Sequence, residues 1–290
     1  MPIQTILAPF NKAKDDKAAF LRVISAAKAL KAHIQVVFVR QDPDEVLIYL
    51  GMETGSSSEL TEYARKQVEE EGRVAASRSQ HHFNAACRDT DLPRSKKPGN
   101  LTEASAHWEQ EFGDPTEIIT ERAKLTDVSV FVGGLAEYSR SSRNVLKSTL
   151  VQSGRPVILI PDAVTETSFS RITIAWDASR ACVRAVAAAL PILAEASQVQ
   201  IASIAEPHGK APEPEELVRF LDWHGIQATS EVLLAQGRRV GEVILESAAV
   251  NKSDLVILGG YGHDRYVETV FGGTTSYVIR KSDIPFLLMH

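Results

Sequence analysis

Asp254-Leu255-Val256-Ile257-Leu258-Gly259-Gly260 is the most informative stretch of the chain, because it repeats an earlier stretch, Asp127-Val128-Ser129-Val130-Phe131-Val132-Gly133-Gly134. Each stretch follows a helix-like segment. Each also leads, through a polar loop and a second helix-like run, to a Pro and a short apolar run at Val157–Ile160 or Phe286–Met289. An internal duplication is the simplest explanation of this repeat. The chain has 290 residues, about twice the size of a common domain, so we predict two domains.

Strand-like and helix-like runs alternate in both copies, which predicts parallel α/β sheets with crossover helices on both faces. The predicted strands lie at residues 3–8, 34–39, 104–110, 128–132 and 157–160, and then at 172–175, 199–204, 228–234, 255–258 and 286–289. The predicted fold class is therefore α/β, with two tandem five-stranded parallel-sheet domains. The Thr- and Ser-rich segment 162–170 is the predicted linker, which gives domains at residues 1–161 and 171–290.

Composition and charge argue against several classes of protein. A formal net charge of -5 disfavours a sequence-independent nucleic-acid binder, which needs a basic face. No apolar run is long enough to span a bilayer, and residues 3–8 resemble a strand rather than a signal core, so we expect a cytoplasmic protein without a membrane partner. Cys87 and Cys182 lie in different copies without CxxC spacing, and His81-His82 lacks ligand spacing, so neither a disulfide nor a metal site is expected.

The element that suggests chemistry is the loop after the fourth strand of the second copy. Gly259 and Gly262 come at the carboxyl end of that strand, and Gly272-Gly273-Thr274-Thr275 opens a helix-like run. Glycines there let a ligand approach the backbone, and a helix N-terminus presents free N–H groups to an anion. Ligands of open α/β sheets bind outside the carboxyl ends of the strands, where Asp177 and Ser179 follow the second copy's first strand. This arrangement predicts a phosphate-binding crevice.

These features resemble the universal stress protein family, and specifically its members with two such domains in one chain. The resemblance covers essentially the whole chain and depends on the strand-end acid Asp177, the strand that ends at Gly259, and the loop to Ile284-Pro285. It implies a Rossmann-like fold of the adenine-nucleotide alpha-hydrolase type. It also implies an internal pseudo-dimer in which Val157–Ile160 lies beside Phe286–Met289.

The family's ATP-binding pattern is Gly, two residues, Gly, nine residues, Gly, and then Ser or Thr. Gly259, Gly262 and Gly272 keep this spacing, but Gly273 follows where the hydroxyl residue belongs, and Thr274 comes one later. The resemblance implies that ATP, with Mg²⁺, binds in the C-terminal domain. The implied nucleotide-binding residues are Asp177 near the ribose or the metal, Ser179 beside it, Gly259, Gly262, Gly272 and Gly273 around the phosphates, and Thr274 and Thr275 as hydrogen-bond donors to them.

The first copy departs further from that pattern. Gly133-Gly134 is not followed by the later glycines, and the first strand leads into Pro9-Phe10-Asn11 without an acid. We therefore expect the N-terminal domain to be a structural partner without a phosphate site.

Two functional hypotheses remain open. The chain is either a cytoplasmic stress-response sensor or regulator that binds an adenine nucleotide, or a nucleotide-free interaction module of the same fold, which Gly273 favours. An enzyme is not expected, because no catalytic constellation is present and neither first strand leads into an adenylyl-transfer motif. Weak ATP hydrolysis, unidentified protein partners and a homodimer of two chains stay open.

Overall fold

The computed structural model describes residues 2–10, 16–49, 59–97, 99, 102–133, 138–205, 212–260 and 273–290. The first half contains β1 (Thr5–Phe10), α1 (Asp16–Leu30), β2 (His33–Arg40), α2 (Pro43–Tyr49), α3 (Glu59–Asp89), β3 (Ser105–Phe112), α4 (Pro115–Ala123), β4 (Val128–Val132), α5 (Arg140–Gln152) and β5 (Val157–Ile160). The second half contains β6 (Arg171–Trp176), α6 (Arg180–Leu193), β7 (Gln198–Ala205), α7 (Glu215–Trp223), β8 (Ala228–Leu234), α8 (Val240–Val250), β9 (Leu255–Gly259), α9 (Gly273–Lys281) and β10 (Phe286–Met289).

The described strands form one ten-stranded sheet in the order β3-β2-β1-β4-β5-β10-β9-β6-β7-β8. Strands within each half pair in parallel, and the halves meet where β5 and β10 pair antiparallel, with Ile158 opposite Leu287. The predicted α/β class and the predicted pairing of these two edge strands are confirmed. In each half the chain moves outward over three strands and then returns to the other side of the first, so a topological switch point lies at β1/β4 and at β6/β9.

Two apolar layers cover the sheet, and each layer extends through both halves. One layer packs with α1, α3, α6 and α7 and includes Ile158 and Leu287 from the central strands. The other packs with α4, α5, α8 and α9 and includes Leu159 and Phe286. The halves therefore share both layers of core, and the division into domains at residues 1–161 and 171–290 stays a prediction.

Two aspartates repeat the same contact in the two halves. Asp127, just before β4, accepts hydrogen bonds through Oδ2 from the backbone N–H groups of Gln4 and Thr5, both at 2.9 Å. Asp254, just before β9, accepts from the backbone N–H groups of Ser170 and Arg171, also at 2.9 Å. Each carboxylate joins the start of one strand to the start of its neighbour, so the duplication extends to individual hydrogen bonds.

The halves differ most in the helix that precedes their third strand. In the first half α3 has 31 residues, whereas its counterpart α7 has 9. The two helices end at equivalent positions, because the N–H of Leu92 bonds to the carbonyl of Cys87 as the N–H of Ile226 bonds to that of Leu221. The additional residues of α3 therefore lie towards its N-terminal end. Among the helices of the described residues, none has the length and apolar character needed to cross a membrane.

Candidate functional site

The turn between β6 and α6 carries the first two predicted site residues. Asp177 is exposed, and its Oδ1 accepts a hydrogen bond from the N–H of Ser179 at 2.9 Å. Ser179 is the N-cap of α6, because its Oγ accepts from the N–H of Cys182 at 3.1 Å. Ala178 between them has a left-handed φ of 55°, which residues with a Cβ rarely adopt. The side chains of Asp177 and Ser179 thus hold a tight turn at the carboxyl edge of the sheet.

Gly259, the last residue of β9, lies against the start of α6. A Cβ at this position would be 2.7 Å from the backbone N of Cys182 and 3.1 Å from Ser179 Oγ. Only a glycine lets the helix begin this close to the neighbouring strand. The sequence suggested a ligand as the reason for this glycine, and the structure adds a packing reason.

The first turn of α9 carries the remaining described site residues. Thr275 is buried, and its Oγ1 donates a hydrogen bond to the carbonyl oxygen of Gly259 at 3.4 Å. Gly273 is exposed, and no heavy atom lies within 4 Å of the position that its Cβ would take. Thr274 is half-buried beside it.

The structure therefore brings Asp177, Ser179, Gly259 and Thr275 together at the carboxyl ends of the adjacent strands β6 and β9. Gly262 and Gly272 lie outside the described residues.

Strand register shows that the two Gly-Gly pairs are offset by one residue. The N–H of Gly133 bonds to the carbonyl of Ile160 at 2.9 Å, and the N–H of Gly260 bonds to that of Met289 at 2.8 Å. Gly133 therefore corresponds to Gly260, and Val132 stands where the second half has Gly259. The sequence comparison missed this offset because both copies present two consecutive glycines.

Tyr138 occupies the first-half counterpart of the candidate site. Its hydroxyl donates to the carbonyl oxygen of Val132 at 2.9 Å, the bond that Thr275 makes to Gly259 in the second half. Its ring lies 3.2 Å from the position that a Cβ of Gly133 would take. Burial raises the pKa of this phenol above its ordinary value, so Tyr138 stays a neutral donor. Asn11, at the end of β1, lies outside the described residues.

A second difference between the halves lies on the face covered by α1, α3, α6 and α7. Equivalent register positions hold Phe10, Phe38 and Trp108 in the first half, and Trp176, Ser203 and Ser230 in the second. The Phe38 and Trp108 rings stack at 5.8 Å, whereas Ser203 donates to the carbonyl oxygen of Pro212 at 2.7 Å. The indole Nε1 of Trp176, one residue before Asp177, is buried and has no hydrogen-bond partner in the described part of the chain.

Cys182 lies beneath the turn and offers no nucleophile. Its thiol donates to the carbonyl oxygen of Ala175 at 3.3 Å. Burial, with a smaller contribution from the charge of Asp177, raises the pKa of this thiol to about 12. Within the described ranges, no group of three or more His, Cys, Asp or Glu residues could hold a metal ion.

Comparisons with known proteins agree with this architecture. The model described as "Universal stress protein family" matches residues 168–290. The whole chain is similar in fold to a universal stress protein from Archaeoglobus fulgidus DSM 4304, with a TM-score of 0.68, 17% identity and coverage of 98% of this chain and 95% of that one. It is also similar to a functionally unknown protein from Pseudomonas aeruginosa PAO1, with a TM-score of 0.53, 13% identity and coverage of 99% and 92%. The search of curated proteins found no match.

Proposed function

We propose that this chain is a stress-response regulator that binds an adenine nucleotide. The match of residues 168–290 to the universal stress protein family supports the stress-response role. The nucleotide, ATP with Mg²⁺ or a close relative, binds in the second half at the crevice between β6 and β9. It acts as a regulatory ligand in the cytoplasm and shifts the protein between states by its different affinity for each.

The observation that carries this proposal is the convergence of the candidate residues at a topological switch point. β6 and β9 are neighbours in the sheet, and the chain leaves β6 towards β7 but leaves β9 in the opposite direction, towards β10. Open α/β sheets bind ligands at such a crevice. Asp177, Gly259 and the first turn of α9 all lie at this edge. The turn that holds Asp177 packs against Gly259 through Ser179 and Cys182, and Thr275 of α9 donates a hydrogen bond to Gly259.

Each group has a role that its chemistry suits. The Asp177 carboxylate suits a ribose hydroxyl or a hydrated Mg²⁺, which prefers oxygen ligands. The N–H groups in the first turn of α9 suit the phosphates, with Thr274 as an added hydroxyl donor. The unpartnered indole N–H of Trp176 is a further donor at the same strand end.

The first half has a structural role in this proposal. Val132 replaces the glycine of the second half, and the Tyr138 ring covers the strand end where a phosphate would need to approach. One nucleotide per chain is therefore expected.

A specific observation favours the second candidate function, a nucleotide-free interaction module. Thr275 donates its hydroxyl to the carbonyl oxygen of Gly259, so this hydroxyl already has a partner within the protein, and Gly273 supplies no side-chain hydroxyl. In that case the glycines permit the packing of α6 and α9, and the family fold serves protein partners.

Calorimetric titration with ATP and Mg²⁺ separates the two candidates. Asp177→Asn keeps an oxygen acceptor for the N–H of Ser179 but removes the charge, so we expect at least a tenfold loss of affinity, on the order of 1.4 kcal/mol. The matched control is Asp222→Asn, the same change at an exposed acid on α7, which should bind as the wild type does. No binding by the wild type would favour the nucleotide-free module. Equal affinities in both variants would show that the nucleotide does not bind at Asp177.

A further inference from the structure

The two outer edges of the ten-stranded sheet are protected very differently. At the β3 edge, the N–H of Ala106 donates to the carbonyl of Pro93 at 2.9 Å, and its carbonyl accepts from the N–H of Ser95 at 3.0 Å. The same segment carries Arg94 and two exposed lysines, Lys96 and Lys97. Prolines, lysines and a covering segment are the features by which sheet edges avoid pairing with other chains.

The β8 edge has no such cover within the described residues. Ala228 in β8 holds the register position that Ala106 holds in β3. In the described residues, however, β8 pairs with β7 alone, because the chain passes almost directly from Ile226 into β8 and leaves no segment to cover the edge. The N–H of Ala235 donates to Ala205 in β7 at 3.1 Å. Backbone groups alternate in direction along a strand, so those of Ser230, Val232 and Leu234 face outward.

This open edge also carries apolar side chains. Val232 and Leu234 are 52% and 59% exposed and lie on one face of β8. Glu231 lies on the opposite face, where it accepts a hydrogen bond from Ser247 of α8 at 2.6 Å. Trp223, which ends α7 at the amino end of β8, is 90% exposed. An exposed apolar edge strand without a lysine or a proline is a template for pairing.

We propose that a second copy of this chain pairs with the outer edge of β8, antiparallel and about a two-fold axis at Val232, so that the two sheets become one. In this register Val232 lies opposite Val232 of the partner subunit. Ser230 lies opposite Leu234 of the partner subunit, and Glu231 lies opposite Leu233 of the partner subunit. Five residues, 230–234, are self-complementary in this arrangement.

Charge favours this register. A two-fold axis at Glu231 would put two carboxylates directly opposite each other, which destabilises a strand pair, whereas the axis at Val232 moves them to diagonal positions about 7–8 Å apart. The antiparallel arrangement also brings the apolar carboxyl end of each β8 beside the end of the partner where Trp223 is exposed. The halves of one chain already join by antiparallel edge pairing, at β5 and β10. A C₂ contact of this kind closes and leaves the guarded β3 edges outermost.

Sedimentation equilibrium of the full chain tests this pairing. We expect the wild type to have twice the mass of one chain, and Val232→Pro to have the mass of one chain. Proline removes an N–H that faces outward and is not needed by β7. Val232→Lys, which retains the backbone donor and adds an edge charge, should have the same effect and carries the test if the proline variant does not fold by circular dichroism.

Gln110→Lys is the matched control, because Gln110 is exposed and holds the same register position on β3. It should keep the doubled mass. A wild type with the mass of one chain at all concentrations, or a doubled mass that persists in both β8 variants, would overturn the proposal. A third result would also overturn the proposal: the wild type has the mass of one chain, and the amides of β8 gain protection from hydrogen exchange only when an extended peptide is added. That result would assign the edge to another protein.

Discussion

At the scale of single residues, Gly259 at the end of β9 and Gly273 at the start of α9 differ in the space available for a side chain. A Cβ on Gly259 would be 2.7 Å from a backbone nitrogen of α6, whereas a Cβ on Gly273 would meet no atom within 4 Å. We predict that Gly259→Ala lowers the free energy of unfolding by about 1–3 kcal/mol, because α6 must shift away from β9. Urea denaturation of the two variants measures this difference.

The control is Gly273→Ala, which should stay within about 0.5 kcal/mol of the wild type. Similar losses in both variants would show that the close approach of α6 to Gly259 is not what requires the glycine.

The two cysteines provide a second test at this scale. Burial raises the pKa of the Cys87 thiol to about 11 and that of Cys182 to about 12. We predict that neither thiol reacts with a disulfide reagent in the native protein at pH 8, and that both react in denaturant. The unfolded thiols ionise near their ordinary value of 9.0, so the thiol contribution to stability should fall as pH rises from there towards 11 and 12. Rapid native labelling would contradict this account.

The sequence predicted some of the residues that meet at this edge of the sheet and missed others for an identifiable reason. Asp177 and Gly259 could be predicted because an acid and a glycine directly follow apolar strands. The roles of Val132 and Tyr138 could not be predicted, because they depend on how the two halves correspond. That correspondence is fixed by the backbone hydrogen bonds of Gly133 and Gly260. The capping role of Ser179 likewise depends on where α6 begins.

At the scale of elements, Asp254 fixes the start of β6 to the start of β9. Its carboxylate accepts two backbone N–H bonds at 2.9 Å, from Ser170 and Arg171, and a further bond from the Ser168 hydroxyl. We predict that Asp254→Asn lowers the free energy of unfolding by about 1.5–3 kcal/mol, because an amide loses the charge and turns a donor towards these groups. Thermal and urea unfolding measure the loss.

The first-half counterpart, Asp127→Asn, should show a loss of similar size, since Asp127 makes the equivalent contacts. Asp222→Asn on the surface of α7 should show none. A stable Asp254→Asn variant beside a destabilised Asp127→Asn variant would contradict the equivalence of the two anchors.

Apolar runs predicted the strands closely, since strands buried on both faces are nearly continuous runs of apolar residues. The predicted strand at 157–160, for example, is observed at Val157–Ile160, and all four of its residues are buried. The sequence pattern did not predict α2, whose seven residues include two acids and show no clear helical period. Register was also beyond the sequence, because it depends on backbone bonds between distant strands.

At the scale of the whole molecule, duplication has produced two halves with one sheet and two shared apolar layers. The halves then differ where a ligand would approach. The first half has Tyr138 over its strand end, and the second has Gly259 beside the α6 turn. This asymmetry supports the proposal that a nucleotide binds to the second half, whereas the first half serves packing.

Native mass spectrometry of the full chain with ATP and Mg²⁺ tests that claim most directly, because it counts ligands on each chain. We predict one adenine nucleotide per chain at saturation, and the same count in Tyr138→Phe, which alters only the first half. No bound nucleotide at saturating ATP, or two per chain, would contradict the assignment of a single site to the second half.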